Sequence, residues 1–397
     1  MTTAAAQAAP KAPTRTRRFA LISGDFVKTG GMDRANYALA AHLARRGDAE
    51  VHLVSHRIAP DLEASPAVTL HRVPKPLNSY MLGAPLIHRM GLREARKLAA
   101  AGARVVVNGG NCFFGDVNWM HHVHASDPHD PKGHALNRLK GRINYRNWLR
   151  EERKAVRMAG LVITTCERNR ADIVERFGVD DRRIRTAYYG IDPQVFRPAD
   201  DAERAALRSR LGLPADKPLV AFVGALGDRR KGFDTLFAAW KALCESPSWE
   251  ADLVVVGSGA ELPHWKAAAE EAGALARRIH FLGFRRDAPD IFRACDAHCL
   301  PSRYEGYSLV TQEALCCGLP AFITRASGIA ERYPEGLRDL VLPDPEDLDD
   351  LIARLRSWGD RREHYRGAVA DFAAGLRAYT WDDMAAKVVA HVEGEAP

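Results

Sequence analysis

The sequence predicts an α/β protein built as two doubly wound, parallel-sheet domains. Three observations carry that expectation. Short apolar runs alternate with stretches of helical period along the whole chain, the pattern of repeated strand–helix–strand units. The chain has 397 residues, 46% of them hydrophobic, enough for two cores of ordinary size. Midway, GIDPQVFRP at 190–198 combines a glycine with two prolines and reads as the boundary between the halves.

The first half opens with a buried strand at 18–23, which runs into GDFVKTGGMD. The pair Gly30 and Gly31 permits close backbone approach to a ligand. Ala35, Leu39, Ala40 and Leu43 follow at helical spacing. The loop is not GxGxxG, so a dinucleotide reading is weak, and a plain strand-to-helix loop fits the same residues. Further strands are expected at 51–55, 68–73 and 103–108, the last leading to Gly109 and Gly110. DVNWMHHVH at 116–124 places His121, His122 and His124 close together. On a strand His122 and His124 share a face and His121 opposes them. No carboxylate pair or cysteine stands nearby to complete a metal site, and a strand-end histidine is the plainer reading. A strand at 160–166, a helix at 167–177 stopped by Gly178, and a strand at 184–189 complete this half.

The second half begins, after a short helix, with a strand at 219–224 and then ALGDRRKGFD. A strand leading into a glycine- and cation-rich loop before a helix suits a diphosphate, which arginine grips bidentately and lysine meets as a point charge. An exposed basic turn would look the same. Strands follow at 253–256, with a glycine turn after it, and at 279–284. An apolar run at 297–300 then leads into PSRYEGYSLVTQEALCCGLPAF at 301–322. This is strand, loop, helix, strand. Ser308 can cap the helix, and Gly318 and Pro320 stop it. Such a start presents free N–H groups and a positive dipole end to an anion. Glu305 in the loop and Glu313 about a turn into the helix flank that start. Two surface acids on an ordinary helix would have the same spacing. WDDM at 381–384 opens a last helix.

Composition narrows the class. No apolar run approaches the ~20 residues of a membrane span. Residues 1–18, rich in Ala, Thr and Pro and without an acid, lack the apolar core of a secretory signal and read as a disordered tail, a transit peptide being the lesser reading. Seven cysteines form no CxxC and suggest buried thiols in a reducing compartment. Residues 132–157 hold nine Lys or Arg against two Glu, so their net charge (9 − 2 = +7) equals that of the whole chain, +7. Leu136, Leu139 and Ile143 form one apolar stripe there, and Tyr145, Trp148 and Leu149 another face. A basic amphipathic helix of this kind suits an anionic membrane surface, and a solvated basic face of a packed helix accounts for the same residues. No nucleic-acid-binding motif accompanies the charge.

Glu305, seven residues, Glu313, then Gly318-x-Pro320: on this pattern the chain resembles the retaining nucleotide-sugar glycosyltransferases of family four, the glycosyl transferases group 1. The resemblance covers residues 19–390, closely in the second half and loosely in the first. It implies the GT-B fold, two Rossmann-like domains facing a central cleft. Residues 19–190 would bind the acceptor, 191–375 the nucleotide sugar, and 376–397 would form a helix crossing back to the first domain. Gly30 and Gly31 match the family's Gly-Gly loop between donor and acceptor. The family places a histidine at a strand end of the first domain, facing the transferred sugar. Either His121 or His124 aligns with it, His124 slightly ahead as the nearer to the loop. The family's arginine after the first glycine is Ala225 here, whereas Lys231-Gly232 is present. Lys231 therefore carries over, with Arg230 or Arg229 supplying the missing cation.

The implied donor-binding set is Gly31, Arg230, Lys231, Glu305, Gly306, Tyr307, Ser308, Leu309 and Glu313, with Glu313 on the ribose. The implied reaction-centre residues are His124, His121 and Glu305. The expected activity moves a hexose from a UDP- or GDP-linked sugar to a hydroxyl of a saccharide or lipid-linked acceptor, with retention, in cell-envelope, polysaccharide or glycoconjugate biosynthesis. No cofactor is expected, and no metal, since Asp290 and Asp296 are not placed as a DxD diphosphate motif. The expected location is cytoplasmic, with peripheral attachment at the inner face of the membrane through 132–157. A phosphorylase or epimerase on the same fold, or a non-catalytic sugar-nucleotide binder, is the alternative. Donor base, sugar, acceptor and linkage are open at this stage.

Overall fold

The computed structural model describes residues 16–127 and 135–394. Its first half holds strands β1 (Arg17–Ile22), β2 (Asp25–Phe26), β3 (Ala49–Ser55), β4 (Arg57–Ile58), β5 (Val68–Arg72), β6 (Arg104–Asn108), β7 (Val117–Met120), β8 (Leu161–Thr164) and β9 (Ile184–Thr186). Helices α1 (Gly31–Arg45), α2 (Pro60–Glu63), α3 (Tyr80–Ala100), α4 (Ala135–Met158) and α5 (Glu167–Phe177) connect them. The second half holds β10 (Leu219–Val223), β11 (Asp252–Val256), β12 (Ile279–Gly283), β13 (Ala297–Leu300), β14 (Ala321–Thr324) and β15 (Val341–Leu342). Its helices are α6 (Asp201–Leu211), α7 (Phe233–Cys244), α8 (Leu262–Glu271), α9 (Ala288–Ala294), α10 (Leu309–Cys316), α11 (Leu348–Asp360), α12 (Arg362–Arg377) and α13 (Trp381–Glu393).

The first sheet runs β5-β3-β1-β6-β7-β8-β9 and the second β12-β11-β10-β13-β14-β15, with β2 and β4 paired separately. Neighbouring strands are parallel, as in the register Phe19↔Val51 and Val220↔Ala297. Helices cover both faces of such sheets, so the strands are apolar without alternation. DLVVV of β11 and AFIT of β14 are buried at every residue. In each sheet the chain winds outward one way, then returns and winds the other. The reversal lies between β1 and β6 in the first sheet and between β10 and β13 in the second. Ligand crevices open beyond the carboxyl ends of strands at these reversals. The loops after β2, β10 and β13 carry Gly30, Lys231 and Glu305 respectively.

The halves are joined twice, side by side. Ile191 N–H donates to the Tyr379 carbonyl at 3.1 Å, and a Cβ on Gly190 would overlap the Thr380 backbone. Thr380 and Asp383 then close a capping box that starts α13. This last helix packs on α1 of the first half through Met384, Ala385, Val388 and Val392, and His42 Nδ1 meets Asp382 at 2.9 Å.

Some boundaries move. Of the tail expected over 1–18, residues 1–15 lie outside the described residues, while Arg17 and Arg18 belong to β1, where Arg18 Nε donates to Glu50 at 2.7 Å. The strand expected over 184–189 ends at Thr186. Of the basic segment, 132–134 lies outside the described residues and the remainder belongs to α4. All seven cysteines are free and six are buried. Among the described residues no helix is long and apolar enough to cross a membrane.

Candidate functional site

The site is assembled where the loops after β10 and β13 press together. Gly232 takes φ 70°, and a Cβ there would overlap the Pro301 carbonyl oxygen. Glycine at this position therefore permits the contact that brings Lys231 to Glu305. Lys231 Nζ donates to Glu305 Oε1 at 2.6 Å, and Arg230 Nη1 lies 3.9 Å from the same oxygen. Glu305 is buried. Arg230 is further held by Asp228 at 3.0 Å and lies 3.9 Å from Asp127 of the first domain. Arg229 turns instead to Asp234, at 3.1 Å. Of the two arginines left open by the sequence, the structure brings Arg230 into the site. The reason is the single turn of 3-10 helix at 229–231, which sends successive side chains in different directions.

Above this cluster two helix starts face each other. Gly30, at φ 81°, precedes α1 without a side-chain cap, and a Cβ on Gly31 would touch Leu309 Cδ2 of α10 at 3.6 Å. Ser308 does not cap α10 as its residue type suggested. It adopts φ 77°, and its Oγ meets Thr311 Oγ1 at 2.9 Å while making no cap bond. Among the described residues no protein group accepts from the Leu309 or Val310 N–H. Free amides and positive dipole ends from both domains thus converge on one space, an arrangement suited to phosphate oxygens. The Tyr307 side chain is buried and bonded by Arg332 Nη1 at 2.7 Å, so any ligand contact from this residue falls to its backbone.

Glu313 is half-buried on α10, and burial raises its pKa to about 7, the Arg34 guanidinium of α1 partly opposing the shift. Gly306 closes the floor of the site. A Cβ there would come 2.6 Å from the His121 carbonyl oxygen, and the Gly306 carbonyl accepts from Cys166 Sγ at 2.9 Å.

The three histidines part company. His121 is packed into the core against Trp119, with ring centroids 4.4 Å apart, and its Nδ1 meets the Tyr189 hydroxyl at 2.6 Å. Burial lowers its pKa to about 3, so it is neutral. Its Nε2 is buried without a partner. His124 is half-exposed and bonded through Nδ1 to Glu152 at 2.9 Å. His122, named for neither role by the sequence, reaches Asp127 at 3.3 Å and stands edge-on to Tyr304 at 5.0 Å. Asp127 in turn faces Arg230. His122 is therefore the histidine wired to the cation cluster. The available signal was Asp127 five residues downstream, which is weak without a fold. Among the described residues no group of three or more His, Cys, Asp or Glu is placed to hold a metal ion.

The family model described as glycosyl transferases group 1 matches residues 217–357, and that described as glycosyltransferase family 4 matches 29–195. The chain is 29% identical to the D-inositol 3-phosphate glycosyltransferase of Xylanimonas cellulosilytica over 91% of this chain and 90% of that one. It is 28% identical to the mannosylfructose-phosphate synthase of Agrobacterium fabrum over 64% of this chain and 57% of that one. Among solved structures it resembles WaaG, a glycosyltransferase involved in lipopolysaccharide biosynthesis, with TM-score 0.76, 22% identity, and coverage of 95% of this chain and 100% of that one. It also resembles Anabaena HepE in complex with UDP and glucose, with TM-score 0.65, 17% identity, and coverage of 95% and 100%.

Proposed function

Because the chain belongs to the group 1 glycosyltransferases of family four and has the GT-B fold, we propose that it transfers a hexose from a UDP- or GDP-linked sugar to a hydroxyl of a saccharide or lipid-linked acceptor, with retention and without a metal. One observation carries the reading: Lys231, Arg230 and Glu305 meet at the strand reversal of the second domain, directly beneath two uncapped helix starts. That HepE was crystallised with UDP and glucose supports a nucleotide-sugar donor.

The chemistry follows from charge. Departure of the diphosphate builds negative charge on the leaving oxygens and positive charge on the sugar. Lys231, Arg230 and the amides of Leu309 and Val310 answer the first, in a site already preorganised for an anion. When the diphosphate draws Lys231 to itself, the Glu305 carboxylate is freed to accept from sugar hydroxyls. Retention places the acceptor hydroxyl on the face from which the diphosphate leaves, so the departing phosphate takes its proton. Glu313 accepts from the ribose hydroxyls in its ionised form. His122, positioned by Asp127, faces the sugar from the first domain. In this reading the enzyme works in cell-envelope, polysaccharide or glycoconjugate synthesis, on the cytoplasmic side.

Hydrolysis and transfer assays across a panel of UDP- and GDP-sugars, in EDTA, test the proposal. Turnover of one donor with retained anomeric configuration is expected. Activity that disappears in EDTA and returns with a divalent cation would overturn the metal-free mechanism. Tight donor binding without turnover on any acceptor would favour a sensor.

A further inference from the structure

One carboxylate of the second half reaches into the first and has no part in the chemistry above. Glu331 lies in the 3-10 turn Gly328–Arg332 that follows β14. It grips the start of α5 with both oxygens. Oε1 accepts from the Glu167 N–H at 2.8 Å, and Oε2 from the Arg168 N–H at 3.0 Å. The Tyr188 hydroxyl, just after β9, also donates to Oε1 at 2.8 Å. Three donors of the first half thus converge on one carboxylate of the second.

α5 has use for such a partner. The first N–H groups of a helix have no acceptor within it, and the positive dipole end favours a carboxylate. The cap that α5 brings itself is Cys166, whose sulfur accepts from the Asn169 N–H at 3.4 Å. Thiol sulfur is a weak acceptor. The two amides before Asn169 fall to Glu331, in hydrogen bonds strengthened by its charge.

The turn that carries Glu331 is laced to the loop after β13. Glu305 N–H donates to the Ala326 carbonyl at 3.1 Å, Gly328 N–H to the Glu305 carbonyl at 3.1 Å, and Ile329 N–H to the Tyr307 carbonyl at 2.8 Å. Beside this lacing the halves touch without slack. A Cβ on Gly328 would overlap the Gly306 carbonyl oxygen and fall 2.6 Å from Cys166 Sγ. The Tyr304 hydroxyl accepts from the Val123 N–H at 3.1 Å, next to the histidine run. In so close-packed a seam, a shift of Glu331 against α5 is a shift of Glu305 against the strand end that bears His121 and His122.

We infer that Glu331 is a positioning residue for the transfer reaction: by capping a helix of the first half, it holds the Glu305 loop in place against the first-domain side of the cleft. The kinetic consequence rests on the glycosyl-transfer reading, whereas the cap itself does not.

Glu331→Gln tests this. Glutamine keeps the volume, loses the charge and turns an NH₂ group toward one of the two amides. Glu331 is exposed, so the core is untouched and the melting temperature should move little. In donor hydrolysis and transfer assays kcat should fall about tenfold or more, with uridine or guanosine affinity unchanged. Cys166 supplies a readout that needs no donor, since its thiol is buried in the seam. Maleimide labelling mapped by mass spectrometry should be about tenfold faster at Cys166 in the variant, while Cys295 and Cys299 in the second core stay as protected as in the wild type. Tyr188→Phe removes one of the three donors and should move both readouts the same way by a smaller factor. Unchanged Cys166 labelling in Glu331→Gln overturns the inference, as does faster labelling with unchanged kcat. Faster labelling of all three cysteines alike, in both variants, shows a merely structural role and overturns it too. A wild type that turns over no donor contradicts the glycosyl-transfer reading instead, and the labelling then decides whether Glu331 holds the halves together.

Discussion

Two loops meet across the cleft, and they are held in opposite ways. On the second domain Lys231 and Glu305 are fixed to each other at 2.6 Å, with a glycine that admits no Cβ holding their loops together. On the first domain the histidine run after β7 divides among three surroundings: core, solvent edge and cation cluster. The second-domain side is thus a preformed charge pair. The first-domain side is a strand end whose contacts are set by neighbours distant in sequence.

Removing the charge pair should have the largest effect. Lys231→Ala is expected to lower kcat by about 10²–10³-fold, the loss seen when one preorganised charge-stabilising group is removed. It also leaves Glu305 buried with only the longer contact to Arg230. Lys231→Ala with Glu305→Gln should therefore recover thermal stability without recovering turnover, which unfolding curves and kcat together would check.

The floor of the cleft comes next. Gly306→Ala would force the His121 carbonyl and the second domain apart, because the new Cβ falls 2.6 Å from that oxygen. A misplacement of this kind should cost about 10²-fold in kcat/KM, with a smaller loss in UDP or GDP binding. Equal losses in nucleotide binding and turnover would count against a positioning effect.

The histidines sharpen the contrast further. His122→Ala should lower kcat/KM by about 10–100-fold, and His124→Ala by less than about threefold, in steady-state assays. The reverse order would return the family's histidine to His124. His121→Ala should act on stability instead, costing roughly 2–4 kcal/mol through the cavity left against Trp119.

A graded effect in pH comes last. Burial raises the Glu313 pKa to about 7, so the empty enzyme holds this group largely protonated in mild acid. A ribose hydroxyl needs the carboxylate as acceptor. Donor affinity should therefore fall as pH drops below about 7, up to tenfold per unit, and Glu313→Gln should flatten that dependence. The same shift bears on folding with a fixed sign. Between the ordinary glutamate value and about 7 the folded state holds the extra proton, so this group makes stability fall as pH rises through that window.

How far the sequence foretold this follows from the kind of force involved. Parallel strands buried on both faces must be apolar throughout, so LVAFV and DLVVV are visible as strands without a structure. The spacing of Glu305 and Glu313 about one helix start is local, and it was legible too. The choice between Arg229 and Arg230 depends on the turn after β10, and the failure of Ser308 as a cap depends on φ 77°, neither of which a residue type specifies. His122 gains its place from Asp127, Tyr304 and Arg230, a partnership formed only where the two domains meet.

Calorimetry of nucleotide binding in EDTA tests the central claim, that Lys231 and the facing helix starts form a metal-free diphosphate seat. Titrating uridine and guanosine against UDP and GDP isolates the diphosphate. The wild type should bind one diphosphate at least about tenfold more tightly than its nucleoside, and Lys231→Ala should erase most of that difference while leaving nucleoside affinity unchanged. Equal affinity for nucleoside and diphosphate in the wild type, or an undiminished diphosphate preference in Lys231→Ala, would contradict the account.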